Sequence, residues 1–170
     1  MIPLAMRQHA LAVGLSALVL ASPVAGAATS LCEGAERVIF ACRVGAKLVS
    51  LCEAQTAGEG LGSLQYRIGR PGRMLEMRYP AATDSDPAFR AGSTTLAGGG
   101  GAWVEFKRGR YRYVVYSFQM RGKGEVAGVA VEAEGARLAT LRCRGPAISE
   151  LGPDYFTAAS LAASSGEFLP

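Results

Sequence analysis

The sequence is poor in the one side chain that most often does acid-base chemistry near neutrality: it has a single histidine, His9, among 170 residues. It is also poor in long apolar runs, with only one of note, from Ala10 to Ala21. As a helix that run rises only about 18 Å, well short of a hydrocarbon core of roughly 30 Å, so it does not read as a membrane anchor. Arg7 and His9 precede it, and Ser22, Pro23 and Val24 lead to the small triplet Ala25-Gly26-Ala27. Those three parts make a secretory signal peptide over residues 1–27, with cleavage expected after Ala27. Thr29-Ser30-Leu31 before Cys32 lacks the Leu-small-small pattern of a lipid-attachment cysteine. The product is therefore expected to be periplasmic or secreted, with no transmembrane segment after signal removal.

Loss of the leader takes away His9 and Arg7, which leaves 17 basic residues against 14 acidic ones and no imidazole. Nucleophiles activated by histidine, His-zinc sites and histidine general bases are excluded by composition. A net charge of about +3 is also too small for a dedicated polyanion binder, so no specific nucleic acid is expected as a partner.

Helical periodicity is missing as well, and the body alternates with period two. Leu64, Tyr66 and Ile68 oppose Gln65 and Arg67; Arg70-Pro71-Gly72-Arg73 turns; Leu75, Met77 and Tyr79 resume the apolar face. Val38 to Val44 and Lys47 to Glu53 form an earlier hairpin. Ala102 to Lys107, Arg110 to Met120, Val126 to Glu132 and Arg137 to Cys143 follow, separated by short turns. The expectation is an all-β fold of about eight antiparallel strands in a meander, closed as a small barrel or folded as a sandwich. Residues 28–36 form an N-terminal segment and 37–144 the β domain. Within it, residues 80–101, with Pro80, Pro87, Gly92 and Gly98 to Gly101, read as a flexible loop. Residues 145–170 form a tail in which Asp154 is placed to cap a short helix from Tyr155 to Ala163, with Phe156 and Leu161 covering one end of the sheet.

Four cysteines follow the leader, Cys32, Cys42, Cys52 and Cys143. An even number in an oxidising compartment reads as two disulfides. Their separations of nine, nine and ninety residues do not match metal-ligand spacing, so no metal or other cofactor is expected. A three-residue loop at 45–47 would set Cys42 and Cys52 on one face, on a diagonal of about 7 to 8 Å that a bulge could close. The favoured pairing is Cys42 with Cys52 and Cys32 with Cys143; the alternative joins Cys42 or Cys52 to Cys143.

The most suggestive stretch is basic and aromatic. Lys107, Arg108, Arg110, Arg112, Arg121 and Lys123 occur with no acidic residue between them, interleaved with Tyr111, Tyr113 and Tyr116. Arg110, Arg112 and Tyr116 share a strand face, and Trp103 is phased outward on the preceding strand. Forked guanidinium donors and ring faces of this kind suit an anionic envelope component or an acidic protein. The competing reading is a solvated face charged to discourage edge pairing. Glu76, Glu105, Glu132 and Glu134 would be the residues of a carboxylate hydrolase, but alternation or a turn places each toward solvent, and no enzyme is expected. Gly122-Lys123-Gly124 and Gly98 to Gly101 lack the context of a phosphate loop and read as turns.

Phe40-Ala41-Cys42, Val49-Ser50-Leu51-Cys52, Leu64-Gln65-Tyr66-Arg67-Ile68-Gly69 with Leu75-Glu76 and Tyr79-Pro80, Tyr111-x-Tyr113 and Leu141-Arg142-Cys143 form an ordered set over residues 37 to 143. In that set the chain resembles a group of small exported bacterial proteins without an assigned activity, which implies export and an all-β body. A looser likeness is to the periplasmic lysozyme inhibitors, small disulfide-bearing β proteins with a Ser-Gly-x-x-Tyr loop. The nearest segment here, Arg108-Gly109-Arg110-Tyr111, lacks the Ser and has its Tyr one position early. The functional expectation is an exported non-enzymatic β domain that binds an envelope or extracellular component through its basic-aromatic face. The second reading is an inhibitor of a lysozyme-like wall hydrolase.

Overall fold

The computed structural model describes residues 29–55, 63–81 and 88–170; the expected leader lies outside them. In chain order the elements are β1 (Arg37–Val44), β2 (Lys47–Glu53), β3 (Leu64–Gly69), β4 (Leu75–Tyr79), β5 (Phe89–Leu96), β6 (Gly99–Arg108), β7 (Tyr111–Met120), β8 (Gly124–Ala133), β9 (Ala136–Arg142), β10 (Ile148–Ser149), α1 (Pro153–Ala158) and β11 (Ala162–Ala163). One sheet runs β10-β1-β2-β3-β4 and the other β11-β5-β6-β7-β8-β9. Neighbours are antiparallel except β11, which lies parallel to β5. The all-β meander with a short C-terminal helix is thus present, laid out as two sheets. No helix among the described residues is long and apolar enough to cross a membrane.

Period two explains the core. Directly opposed residues share a face, so Phe40, Leu51, Tyr66 and Tyr79 form one row across the first sheet. Val104, Val115 and Val129, and beside them Phe106 and Tyr113, form rows across the second. The two sets meet in one apolar cluster. Tyr79 stacks on Phe106 with ring centroids 4.2 Å apart, and Phe106 stacks on Tyr113 at 4.9 Å. Each fully buried ring or branched aliphatic side chain here contributes about 1.5 to 3 kcal/mol by area removed from water.

Three expectations need correction. Residues 80–101 are not a flexible loop: β5 and the start of β6 lie there, joined at Ala97-Gly98, while residues 82–87 lie outside the described residues. Its glycines are a floor for rings. A Cβ at Gly92 would overlap the Trp103 indole, and one at Gly101 would overlap the Phe118 ring. The helix is shorter than expected and begins at Pro153 after Gly152, with Asp154 in its first turn and no side-chain cap. Proline supplies the first helical φ without needing a donor there. The chain then leaves the helix through Ser160, at φ 50°.

The disulfides are Cys32–Cys52 and Cys42–Cys143. The favoured pairing fails because the first turn holds two residues, not three. Val44 opposes Lys47, so Cys42 opposes Val49 on the inner face and Cys52 falls on the outer one. A one-residue change in a loop reverses every side chain of the returning strand. Cys42–Cys143 is one form of the alternative pairing, and it links the two sheets through the core.

Each sheet has its outer face covered by a chain segment. On the first sheet Cys52, Ser50, Gln65 and Arg67 lie beneath residues 29–36. Arg67 donates to Glu36 through both terminal nitrogens, at 2.7 Å each, and to the Leu31 carbonyl at 2.8 Å. Burial pushes the Glu36 carboxyl up, but the Arg67 hydrogen bonds and charge outweigh it and hold the group below its ordinary 4.5. The folded-state value is therefore depressed, so the stabilisation is complete above the ordinary carboxyl range and is lost as pH falls through the lowered value. Between pH 6 and pH 2, Glu36→Gln is expected to lose less melting temperature than the parent. Parallel melting curves would show that the pair does not hold the segment.

Candidate functional site

The outer face of the second sheet carries four of the residues singled out by sequence, Trp103, Lys107, Arg112 and Tyr116. Its rows read Lys107, Arg112, Glu132; then Arg90, Glu105, Val114, Ala130; then Gly92, Trp103, Tyr116, Gly128, Arg142; then Thr94, Gly101, Phe118, Val126. This register distributes the basic set rather than concentrating it. Lys107, Arg108 and Arg110 stand exposed around the two-residue β6–β7 turn. Arg121 and Lys123 stand at the β7–β8 turn, the other end of a ten-residue strand and so roughly 30 Å away.

Arg112 is not available to a ligand. Along the chain it has no acidic neighbour, but across the sheet its Nη1 donates to Glu132 at 2.6 Å and its Nε to Glu105 at 2.9 Å, with Nη2 also on Glu105. Burial lowers the guanidinium's hold on its proton, and the hydrogen bonds to Glu105 and then Glu132 outweigh that and raise it. Ser164 donates its hydroxyl to Glu105 at 2.9 Å, and Arg137 reaches Glu132 at 3.2 Å. Glu105, expected toward solvent, has a side chain only 4% exposed. Glu105 and Glu132 face one shared guanidinium, an arrangement that cross-links three strands. Glu76 instead pairs with Lys47 and Glu134 with Arg110, both at exposed positions.

Trp103 and Tyr116 are phased outward as read, yet both are buried, at 3% and 0%. The C-terminal segment covers them: Phe168 lies 6.1 Å from Trp103, 5.1 Å from Tyr116 and 6.2 Å from Phe118 between ring centroids. As the structure stands, neither belongs to a solvent-facing patch. The period-two pattern carries the phase but not the cover.

Of the five cations of that basic set that remain exposed, Lys107, Arg108 and Arg110 gather at the β6–β7 end. Arg110 lies over the Tyr111 ring at 5.3 Å, and its ion pair with Glu134 is a loose 3.7 Å between groups 67% and 80% exposed, worth little. Lys107 separates two grooves. One of about 430 Å³ is lined by Tyr79, Arg90, Glu105, Lys107 and Ser165, the other of about 480 Å³ by Lys107, Arg110, Arg112, Glu132 and Ser165. A third, lined by Arg73, Arg78 and Arg108 together with Glu33 and Glu76, adjoins the same end. Sequence reading had no means to join Arg73, Arg78 and Arg90 to this set, because they come from the β3–β4 turn, β4 and β5.

At the opposite end a polar cleft of about 550 Å³ opens between Ser93, Thr95, Ser117, Gln119 and Glu125 on the second sheet and residues 147–153. Its only sequence trace is the spacing of Ser93 from Thr95 and Ser117 from Gln119, which puts small polar groups on the inner face. Among the described residues, the one grouping of cysteine and carboxylate dense enough for a cation is Cys32, Glu36 and Cys52. Its two sulfurs are bonded to each other and its carboxylate is held by Arg67. No family model, curated protein or solved structure matches the chain.

Proposed function

We propose that this protein is an exported, non-catalytic β domain that binds an anionic envelope or extracellular component at the β6–β7 end of its second sheet. Three things support the reading: a leader that fits a secretory signal, two disulfides of the kind kept in oxidising compartments, and a mature chain without imidazole. The observation that carries it is the projection of Lys107, Arg108 and Arg110 around one tight turn, beside grooves that add Arg73, Arg78 and Arg90. The likeness to small exported bacterial proteins agrees with it, though it names no ligand.

The test uses the mature protein and vesicles of phosphatidylglycerol mixed with phosphatidylcholine, against phosphatidylcholine alone. Binding to the anionic vesicles should weaken steeply as salt rises, since exposed charges are screened over about a Debye length. Lys107→Ser, Arg108→Ser and Arg110→Ser combined should weaken it at least tenfold, while Arg121→Ser with Lys123→Ser changes it less than twofold. Equal losses from both sets would disperse the site. Slowing of lysozyme in a turbidity assay, with no vesicle binding, would support the inhibitor reading instead.

A further inference from the structure

We infer that the aromatic face beneath the C-terminal segment is a saccharide-binding platform that Phe168 holds closed. Trp103 and Phe118 are near-parallel, with planes only 7° apart and centroids 6.5 Å apart. They lie flat because Gly92 and Gly101 leave no Cβ beneath them. Tyr116 completes the face, directly opposite Trp103 in the register. A core needs apolar rings, but it does not need two of them to bury polar atoms unpartnered. Trp103 Nε1 and Tyr116 Oη are buried without a hydrogen-bond partner among the described residues, and such groups are nearly always satisfied in folded proteins. They belong to residues directly opposed on one face, the indole lying over Gly92 and the phenol oxygen beside Gly128, and the Phe168 ring packs against both rings.

The cover is light. Residues 166–170 are held by Phe168 itself, by Arg137 over its ring at 4.7 Å and by the Arg137 donation to the Leu169 carbonyl at 2.8 Å. Ser164, which also accepts from the Gly166 amide, anchors the near end on Glu105. With the segment lifted, the face would offer flat rings for the C–H side of a sugar, an indole N–H and a phenol O–H for its hydroxyls, and Arg137 and Arg142 at the rim. This is the usual makeup of a small-ligand site, mostly apolar with a few placed polar groups. Two near-parallel rings on neighbouring strands suit a flat β-1,4-linked chain better than a coiled α-1,4-linked one. Affinity of the intact protein is reduced by the fraction of molecules that are open, and a variant that opens the face removes that reduction.

Trp103 is the only tryptophan, so its emission reports on this face directly. Phe168→Ser and a chain ending at Ser165 are titrated with chitohexaose, cellohexaose and maltohexaose, beside the intact protein, after far-ultraviolet circular dichroism and thiol titration show them folded and oxidised. The expected result is that both variants bind one of the two β-1,4-linked probes at least tenfold more tightly than the intact chain, and maltohexaose weakly or not at all. Tyr116→Phe in the Phe168→Ser background should then lose at least threefold. Absence of any emission change with millimolar probe, equal binding by intact and opened chains, or self-association of the opened chain in place of binding would each overturn the inference. All of these readouts are independent of Lys107, Arg108 and Arg110.

Discussion

Replacing Cys42 and Cys143 together by Ala is expected to cost about 4 to 5 kcal/mol of folding stability, the larger of the two disulfide losses. The bridge spans 101 residues, and the Cys32–Cys52 bridge only 20. Loop-closure entropy removed from the unfolded chain grows with the logarithm of loop length, which gives about 4.7 kcal/mol for the long loop and about 3.3 for the short one. Placement widens the gap. Cys42 and Cys143 sit in the cluster between the sheets, so their bond holds both layers, whereas Cys32 fastens a segment that Arg67 and Glu36 also hold. Set against a total of roughly 5 to 15 kcal/mol for a domain, the core loss leaves the double variant near its threshold at 37 °C. The Cys32→Ala, Cys52→Ala protein should stay cooperative. Urea melts of the two double variants decide the matter; single variants are avoided because a lone thiol can attack the remaining bridge. A larger loss from the Cys32–Cys52 pair would mean that the N-terminal cover, not the sheet-to-sheet link, carries the stability.

The same bonds show where sequence reading reached its limit. The hairpin from Leu64 to Tyr79 was legible because apolar contrast and a Pro-Gly turn agree, and the structure pairs Tyr66 with Tyr79 across it. The first hairpin was legible too, but its disulfide turned on whether Lys47 belonged to the loop or the strand, which local chemistry does not decide. β5 was missed because Ala91, Gly92, Ser93 and Thr94 have little apolar contrast to alternate. The place of Gly92 in that strand is set by Trp103, whose indole needs a glycine beneath it. Export lies in residues 1–27, outside the described residues, and stands on the sequence pattern alone.

The basic patch failed at Arg112 for a reason of register. A run of six cations without an acid is a one-dimensional fact. In the sheet, Arg112 lies directly opposite Lys107 and Glu132 and on the same face as Glu105, one diagonal step away. That geometry makes Arg112→Met the second large expected effect, about 3 to 5 kcal/mol. Removing one member of a buried ionic group leaves the others charged and unpaired, and here Glu105 is 4% exposed and Glu132 16%. Replacing both sides of the closer pair, Arg112→Met with Glu105→Leu, should recover most of that loss, because Glu132 keeps Arg137. Arg112→Lys should fall between, since an ammonium keeps the charge but lacks the planar fork that meets Glu105 through two nitrogens and Glu132 through a third. Denaturant midpoints order the three variants. If the single Met variant is as stable as the double one, Glu105 has found solvent or a proton, and the cluster is not the clamp its geometry describes. A linked readout is available because Ser164 donates to Glu105. Loss of the clamp should loosen the C-terminal segment and shift Trp103 emission to longer wavelength below the unfolding midpoint. Emission unchanged until global unfolding would show that Phe168 alone fastens that segment, whatever Arg112 contributes to the sheet.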